Sequence, residues 1–177
     1  MTGSPQDLEG LYRRMRRLED IEAIRKLKAR YLNACDQQNP DEVRDCFADG
    51  KVPIIVGHLG NYETADDFVA MYRTAACHDF VLDMHHGGNP EIDFINDDHA
   101  RGLWGLAYRN VNTRDKTLTF VSLLYHDEYK RIDGKWKITA TRSEFKTAFH
   151  CTYASGVLEA MVAGRTVADP PLSKGGG

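Results

Sequence analysis

Three long runs, HARGLWGLAYRNVN, KTLTFVSLLYHDEYKRI and GKWKITATRSEFKTAFH, follow one another with only short turn signals between them. Each alternates apolar and polar residues with period two, the pattern of a half-buried strand. Asn112–Lys116 and Ile132–Lys135 read as the hairpin turns, the second through an Asp-Gly pair suited to tight reversal. A meander of this kind has one apolar face, and that face needs a cover.

The cover stands upstream. Leu11, Met15, Leu18, Ile21, Ile24, Leu27, Tyr31 and Cys35 recur at three- and four-residue spacing, which predicts a long amphipathic helix from Pro5 to about Gln38. Asn39-Pro40 closes it and opens a second, short helix over PDEVRDCFA. KVPIIVGHLGNYE reads as a strand, a turn at Gly60-Asn61 and a short return. Thr64 is placed to cap a third helix, ADDFVAMYRTAA, and EIDFIND begins the alternating region. A short helix is expected over ASGVLEAMVAG. The fold class is therefore α+β, helices packed on one face of a sheet.

The 177 residues suit one sizeable core. We expect a helical extension over residues 1–17, a single domain over 18–165 and a flexible tail over 166–177. The net charge of −3 argues against nucleic-acid partners. The basic residues between Arg13 and Arg30 are interleaved with Glu19, Asp20 and Glu22, as on a solvated helix face. No apolar run has the ~20 residues of a membrane span, and MTGSPQDLEG lacks the apolar core of a signal peptide. A cytoplasmic protein with reduced thiols is expected, since Cys35, Cys46, Cys77 and Cys151 are scattered.

MHHGGNPEI poses the question of chemistry. Adjacent strand histidines point to opposite faces, so His85 and His86 cannot share a metal ion, and no metal-ligand spacing appears elsewhere. No metal or cofactor is expected. Asp36 is unusual in another way: a carboxylate at a helix C-terminus opposes the helix dipole. Bonded to one ring nitrogen of His85, it would orient that ring and leave the other nitrogen to take a proton. Taken separately, each residue also reads as ordinary, one a solvated helix end and the other a strand histidine.

LEDIEAIRKLKARYLNACDQQNPDEV, MHHGGNPEI and YHDEYKRIDGKWKI together resemble the SnoaL-like branch of the nuclear-transport-factor-2-like superfamily over residues 18–150. Bile acid 7α-dehydratase, scytalone dehydratase and lindane dehydrochlorinase are the nearest patterns. The resemblance implies a cone-shaped α+β barrel, a curved mixed sheet around N-terminal helices with a pocket inside. It also implies a His/Asp proton-abstracting pair at His85 and Asp36, with Tyr31 matching a tyrosine of the bile acid enzyme. His85, Gly87 and Asn89 match the dehydrochlorinase spacing. Gly88 and Tyr108 stand where the bile acid enzyme carries a histidine and an aspartate, so its acid/base set is incomplete here. Arg142 matches a cationic residue one place out of step.

Alternation supplies the remaining candidates. Gly102, Trp104, Leu106 and Tyr108 share one face, and Thr119, Val121, Leu123 and Tyr125 another. These faces either line the pocket or, for Trp104 and Leu106, belong to the core. Tyr62, Tyr72 and His58 come from elements that could lid it. The expected activity is cofactor-independent elimination from a hydrophobic cyclic or phenolic molecule, losing water, halide or a small carbonyl fragment such as formaldehyde. An isomerase or cyclase using the same pair is the alternative within the fold, and a non-catalytic binding or assembly module the alternative outside catalysis. The resemblance favours a homo-oligomer, dimer or trimer.

Overall fold

The computed structural model describes residues 5–153, as three α-helices and a six-stranded sheet. The helix expected over ASGVLEAMVAG lies outside the described residues. Helix α1 (Pro5–Asp36) is followed by α2 (Pro40–Asp45), β1 (Lys51–Val56), β2 (Asn61–Thr64) and α3 (Ala65–Ala76). Strands β3 (Val81–Asn96), β4 (His99–Asn112), β5 (Thr117–Ile132) and β6 (Lys135–Thr152) form the meander. The order across the sheet is β2-β1-β6-β5-β4-β3. Only β1 and β6 run parallel, so the sheet is mixed; it curves around α1 without closing.

Local chemistry sets the element ends. The Asn39 side chain accepts the Glu42 N–H at 3.2 Å, and Thr64 Oγ1 accepts the Asp67 N–H at 3.1 Å. Asp133 and Gly134 both have positive φ, 48° and 76°, as a tight hairpin turn requires. Helix α1 stops in a Schellman motif: the Asn39 N–H reaches the Ala34 carbonyl at 2.9 Å and the Gln38 N–H reaches Cys35 at 3.1 Å. Gln38 takes the left-handed position, φ 53°, usually given to glycine.

The structure departs from the expected pattern in two places. Strand β3 begins at Val81, ten residues before Glu91, so MHHGGNP lies within it. Within it Gly-Gly-Asn-Pro forms a bulge between Gly88 and Glu91, with Asn89 at φ 50°. Pro90 is tolerated because β3 is an edge strand. Helix α1 also buries less of its stripe than expected: Ile24, Leu27, Tyr31 and Cys35 are buried, whereas Leu11, Met15 and Leu18 are exposed. A stripe recurring about every 3.5 residues winds around a straight helix by ~20° per heptad, which carries its N-terminal part away from the sheet.

Two buried polar clusters tie α1 to the sheet. Asp20 accepts the Trp136 indole N–H at 3.1 Å and pairs with Arg131 at 2.5 Å. Lys28 pairs with Asp127 at 2.8 Å, both side chains essentially without solvent contact. No described helix is long and apolar enough to cross a membrane.

Candidate active site

A cavity of about 560 Å³ opens between α1, α3 and the concave face of the sheet. Its walls are apolar on the helix side, with Phe68, Met71 and Tyr72 from α3. On the strand side, inward-facing residues alternate as the sequence suggests: Leu106 and Tyr108 on β4, and Thr119, Val121, Leu123 and Tyr125 on β5.

Asp36 and His85 meet at the edge of this cavity. His85 Nδ1 lies 2.5 Å from Asp36 Oδ1. The His85 backbone N–H also donates to both carboxylate oxygens, at 3.0 Å each. The carboxylate thus holds ring and strand at once. With Nδ1–H donating to Asp36, the proton-accepting nitrogen is Nε2. The ring, which lines the cavity, rests against Tyr108 with centroids 4.7 Å apart.

This placement follows from the helix end. Gln38 Nε2 donates to the carbonyls of His78 and Val81, at 2.9 and 2.8 Å, pinning the turn after α1 to the start of β3. Asp36 lies two residues before that staple and His85 four residues past Val81. Gly87, next on the inner face, lies close to α1: an added Cβ would come within 2.6 Å of Leu32 Cδ1, and the end of that leucine would have to shift. Replacing Gln38 with Ala is expected to lower stability by about 1–2 kcal/mol, the loss of two bonds to backbone carbonyls, read by urea denaturation.

The tyrosine hydroxyls differ in what holds them. Tyr72 donates to the Cys35 carbonyl at 2.7 Å and Tyr129 to Asp127 at 2.6 Å. Tyr108 donates to Asp83 Oδ1 at 2.8 Å, so its proton is not at hand for a substrate. Tyr31 and Tyr125 both line the cavity, and hydrogen bonding links the Tyr31 hydroxyl to Tyr125 and to the Cys35 thiol. Burial pushes both phenols well above their usual range, which keeps them protonated and able to donate. Burial likewise raises the Cys35 thiol, which rules it out as a thiolate nucleophile near neutral pH. Behind these tyrosines, Lys28 Nζ sits 3.6 Å from the Tyr125 ring centroid and 5.1 Å from that of Tyr31.

His85, Asp36, Tyr31, Tyr108, Leu123 and Tyr125 are thus brought together, and other candidates are placed elsewhere. Trp104 is buried beyond the cavity, its indole N–H donating to the Tyr129 hydroxyl at 3.0 Å, so of the two readings of its strand face it takes the core one. Leu106 takes the pocket one. Arg142 is exposed on the outer face of the sheet, opposite His126, between the buried Thr141 and Ser143; the one-residue offset in its spacing reverses its direction. Asn89 is exposed in the bulge, away from the cavity lining. Tyr62 packs edge-on against Phe68 and donates to the Leu59 carbonyl at 2.9 Å. His58 lies on the single helical turn Gly57–Leu59, and its side chain is outside the described residues.

Asp83 and Asn110 are among the cavity residues that escaped the sequence reading. Asp83 precedes His85 by two on the same face of β3 and pairs across the strands with Asn110. The signal was the period-two spacing from His85, read as a strand histidine but not followed upstream. Among the described residues, no three His, Cys, Asp or Glu side chains converge as a metal site would require.

A SnoaL-like domain family matches residues 16–142. Solved structures share the fold at low identity. A protein from Novosphingobium aromaticivorans named for scytalone dehydratase is 16% identical, covering 85% of this chain and 95% of its own, with a TM-score of 0.69. A hexachlorocyclohexane dehydrochlorinase of LinA type 3 from Novosphingobium barchaimii is 18% identical over 82% of this chain and 97% of its own, TM-score 0.70. ActVI-ORFA from Streptomyces coelicolor is 13% identical over 71% and 96%, TM-score 0.60.

Proposed function

The chain belongs to the SnoaL-like domain family, and from that premise we propose that it is a cofactor-independent lyase acting on a hydrophobic cyclic or phenolic small molecule. One observation carries the reading: the Asp36 carboxylate holds His85 through Nδ1 at 2.5 Å while the ring lines an apolar cavity. A carboxylate at a helix C-terminus gains nothing from the helix dipole, so its position is better explained by what it orients. A non-catalytic binding module would have no use for such a pair.

In this reading His85 Nε2 removes a proton from a carbon or hydroxyl of the bound substrate. Tyr31 or Tyr125 donates a hydrogen bond to the oxygen on which negative charge develops. Collapse of that charge expels halide directly, or a hydroxyl group that takes the proton back from the His85 imidazolium and leaves as water; a hydroxymethyl group deprotonated at its oxygen instead breaks its C–C bond and leaves as formaldehyde, its electron pair passing into the conjugated carbonyl or ring, whose oxygen the tyrosine holds. Names of the structural relatives, a scytalone dehydratase and a dehydrochlorinase, are compatible with eliminations of this type. Return of the proton to a different carbon would make the same machinery an isomerase or cyclase. Ile55, Met84 and Phe120, exposed on strands of the sheet, support a homo-oligomer as the working form.

The test is incubation in deuterated water with phenolic and ketosteroid-type compounds, followed by mass spectrometry for exchange or elimination. Exchange that disappears in His85→Ala supports the proposal; exchange kept in full by both His85→Ala and Asp36→Asn refutes it.

A further inference from the structure

Asp83 is the one cavity carboxylate that the proton-transfer reading leaves unused. Its Oδ1 accepts from the Tyr108 hydroxyl at 2.8 Å and from Asn110 Nδ2 at 2.7 Å. No hydrogen bond from a described residue falls on Oδ2. The residue is part-buried and lines the cavity beside His85. Two neutral donors on one oxygen fix the plane of the carboxylate. They leave the second oxygen as a strong acceptor in a mostly apolar space, where only a ligand or water can satisfy it.

We propose that Asp83 is a specificity-determining residue that binds a hydroxyl group of the substrate. Asp83 and His85 are two residues apart on one strand face, a spacing of roughly 7 Å. The substrate is thus a ring compound carrying a hydroxyl set apart, along the cavity wall, from the proton His85 removes, a clause that rests on the lyase reading above. A ketone, ether or carboxylate in place of the hydroxyl would face Oδ2 with an acceptor and be rejected.

The arrangement also supplies a selective variant. In Asp83→Asn the amide oxygen can keep the bonds from Tyr108 and Asn110. The amide NH2 then stands where Oδ2 was, so an acceptor becomes a donor at nearly constant shape. Binding of three rigid probes, biphenyl-4-ol, 4-methoxybiphenyl and 4-acetylbiphenyl, reads the change by titration calorimetry. The native protein is expected to prefer the phenol to its methyl ether by about 10- to 100-fold, the range of a hydrogen bond to a charged group. Asp83→Asn should reduce that preference below about 3-fold and improve binding of the acetyl compound, with an unchanged thermal midpoint. A purely structural Asp83 would not invert the ranking of ligands.

Asp36→Asn separates this proposal from the previous one. It removes the partner that orients His85 but should keep the phenol preference. Absent proton exchange with an intact, Asp83-dependent preference would refute the lyase reading and support the anchor. No preference in the native protein, no saturable binding of the phenol, or an unchanged preference in Asp83→Asn would overturn the anchor whatever the exchange experiment shows.

Discussion

His85→Ala is expected to lower turnover by about 10²- to 10⁴-fold, the usual contribution of a positioned general base, while the protein stays folded. The ring is part of the cavity wall, and its loss leaves space there. Asp36→Asn should act less severely but through kcat more than KM, because it changes ring orientation and basicity without touching the substrate. The Asn side chain can still accept the His85 backbone N–H that now reaches both carboxylate oxygens at 3.0 Å. Its stability should therefore change little, and removal of a negative charge from a helix C-terminus works in the same direction. Equal activity of both variants and the native protein, measured on any compound found to exchange, would exclude the pair from the reaction.

Lys28→Met is expected to have the largest effect on stability. Lys28 and Asp127 form an ion pair at 2.8 Å with almost no solvent contact, and Asp127 also accepts from Tyr129 and Thr141 at 2.6 Å each. Burial pulls the lysine below its usual pKa, and Asp127 opposes that pull, so neither charge is comfortable alone. Removing the lysine leaves a carboxylate inside the core, a defect that costs about 3–5 kcal/mol. The double variant Lys28→Met/Asp127→Leu should recover part of the loss, since the remaining orphans are the hydroxyls of Tyr129 and Thr141. Urea denaturation of both variants measures this. A cost below about 1 kcal/mol for the single change would mean that the interior relaxes or hydrates around Asp127. The same lysine lies beneath Tyr125 and Tyr31, so Lys28→Met is also expected to misplace the proposed oxyanion donors.

The sequence is a good guide to this fold wherever one local cause sufficed. Asn39 and Thr64 cap the helices they precede, and Asp133-Gly134 turns the last hairpin, because caps and tight turns depend on the residues at the spot. The failures share a different cause. The alternating pattern is read from EIDFIND onward, whereas β3 reaches back to Val81 through a Gly-Gly-Asn-Pro bulge that its edge position accommodates. Leu11, Met15 and Leu18 continue an apolar stripe, but where the sheet ends is a tertiary fact.

The candidate site shows the same division. Asp36 stands out by its conflict with the helix dipole, and the alternation on β5 places Leu123 and Tyr125 correctly in the cavity. Trp104 and Tyr108 share a strand face, yet one is core and the other cavity wall, because the wall extends only as far along β4 as Leu106. Arg142 depends on register, where one residue reverses the side chain. Asp83 stands two residues before His85 on the same strand face, a spacing not followed upstream, and with it was missed the reason why the Tyr108 proton is committed.

The most direct test of the central claim is a structure of the protein with a compound that undergoes exchange, captured in the Asp36→Asn variant. The exchanging carbon or hydroxyl is expected within about 3.5 Å of His85 Nε2, with a substrate oxygen in hydrogen-bonding reach of Tyr31 or Tyr125. A ligand seated on the outer face of the sheet against Arg142 would contradict the account. So would one in the cavity whose exchanging atom lies beyond about 5 Å from Nε2 with no water between them.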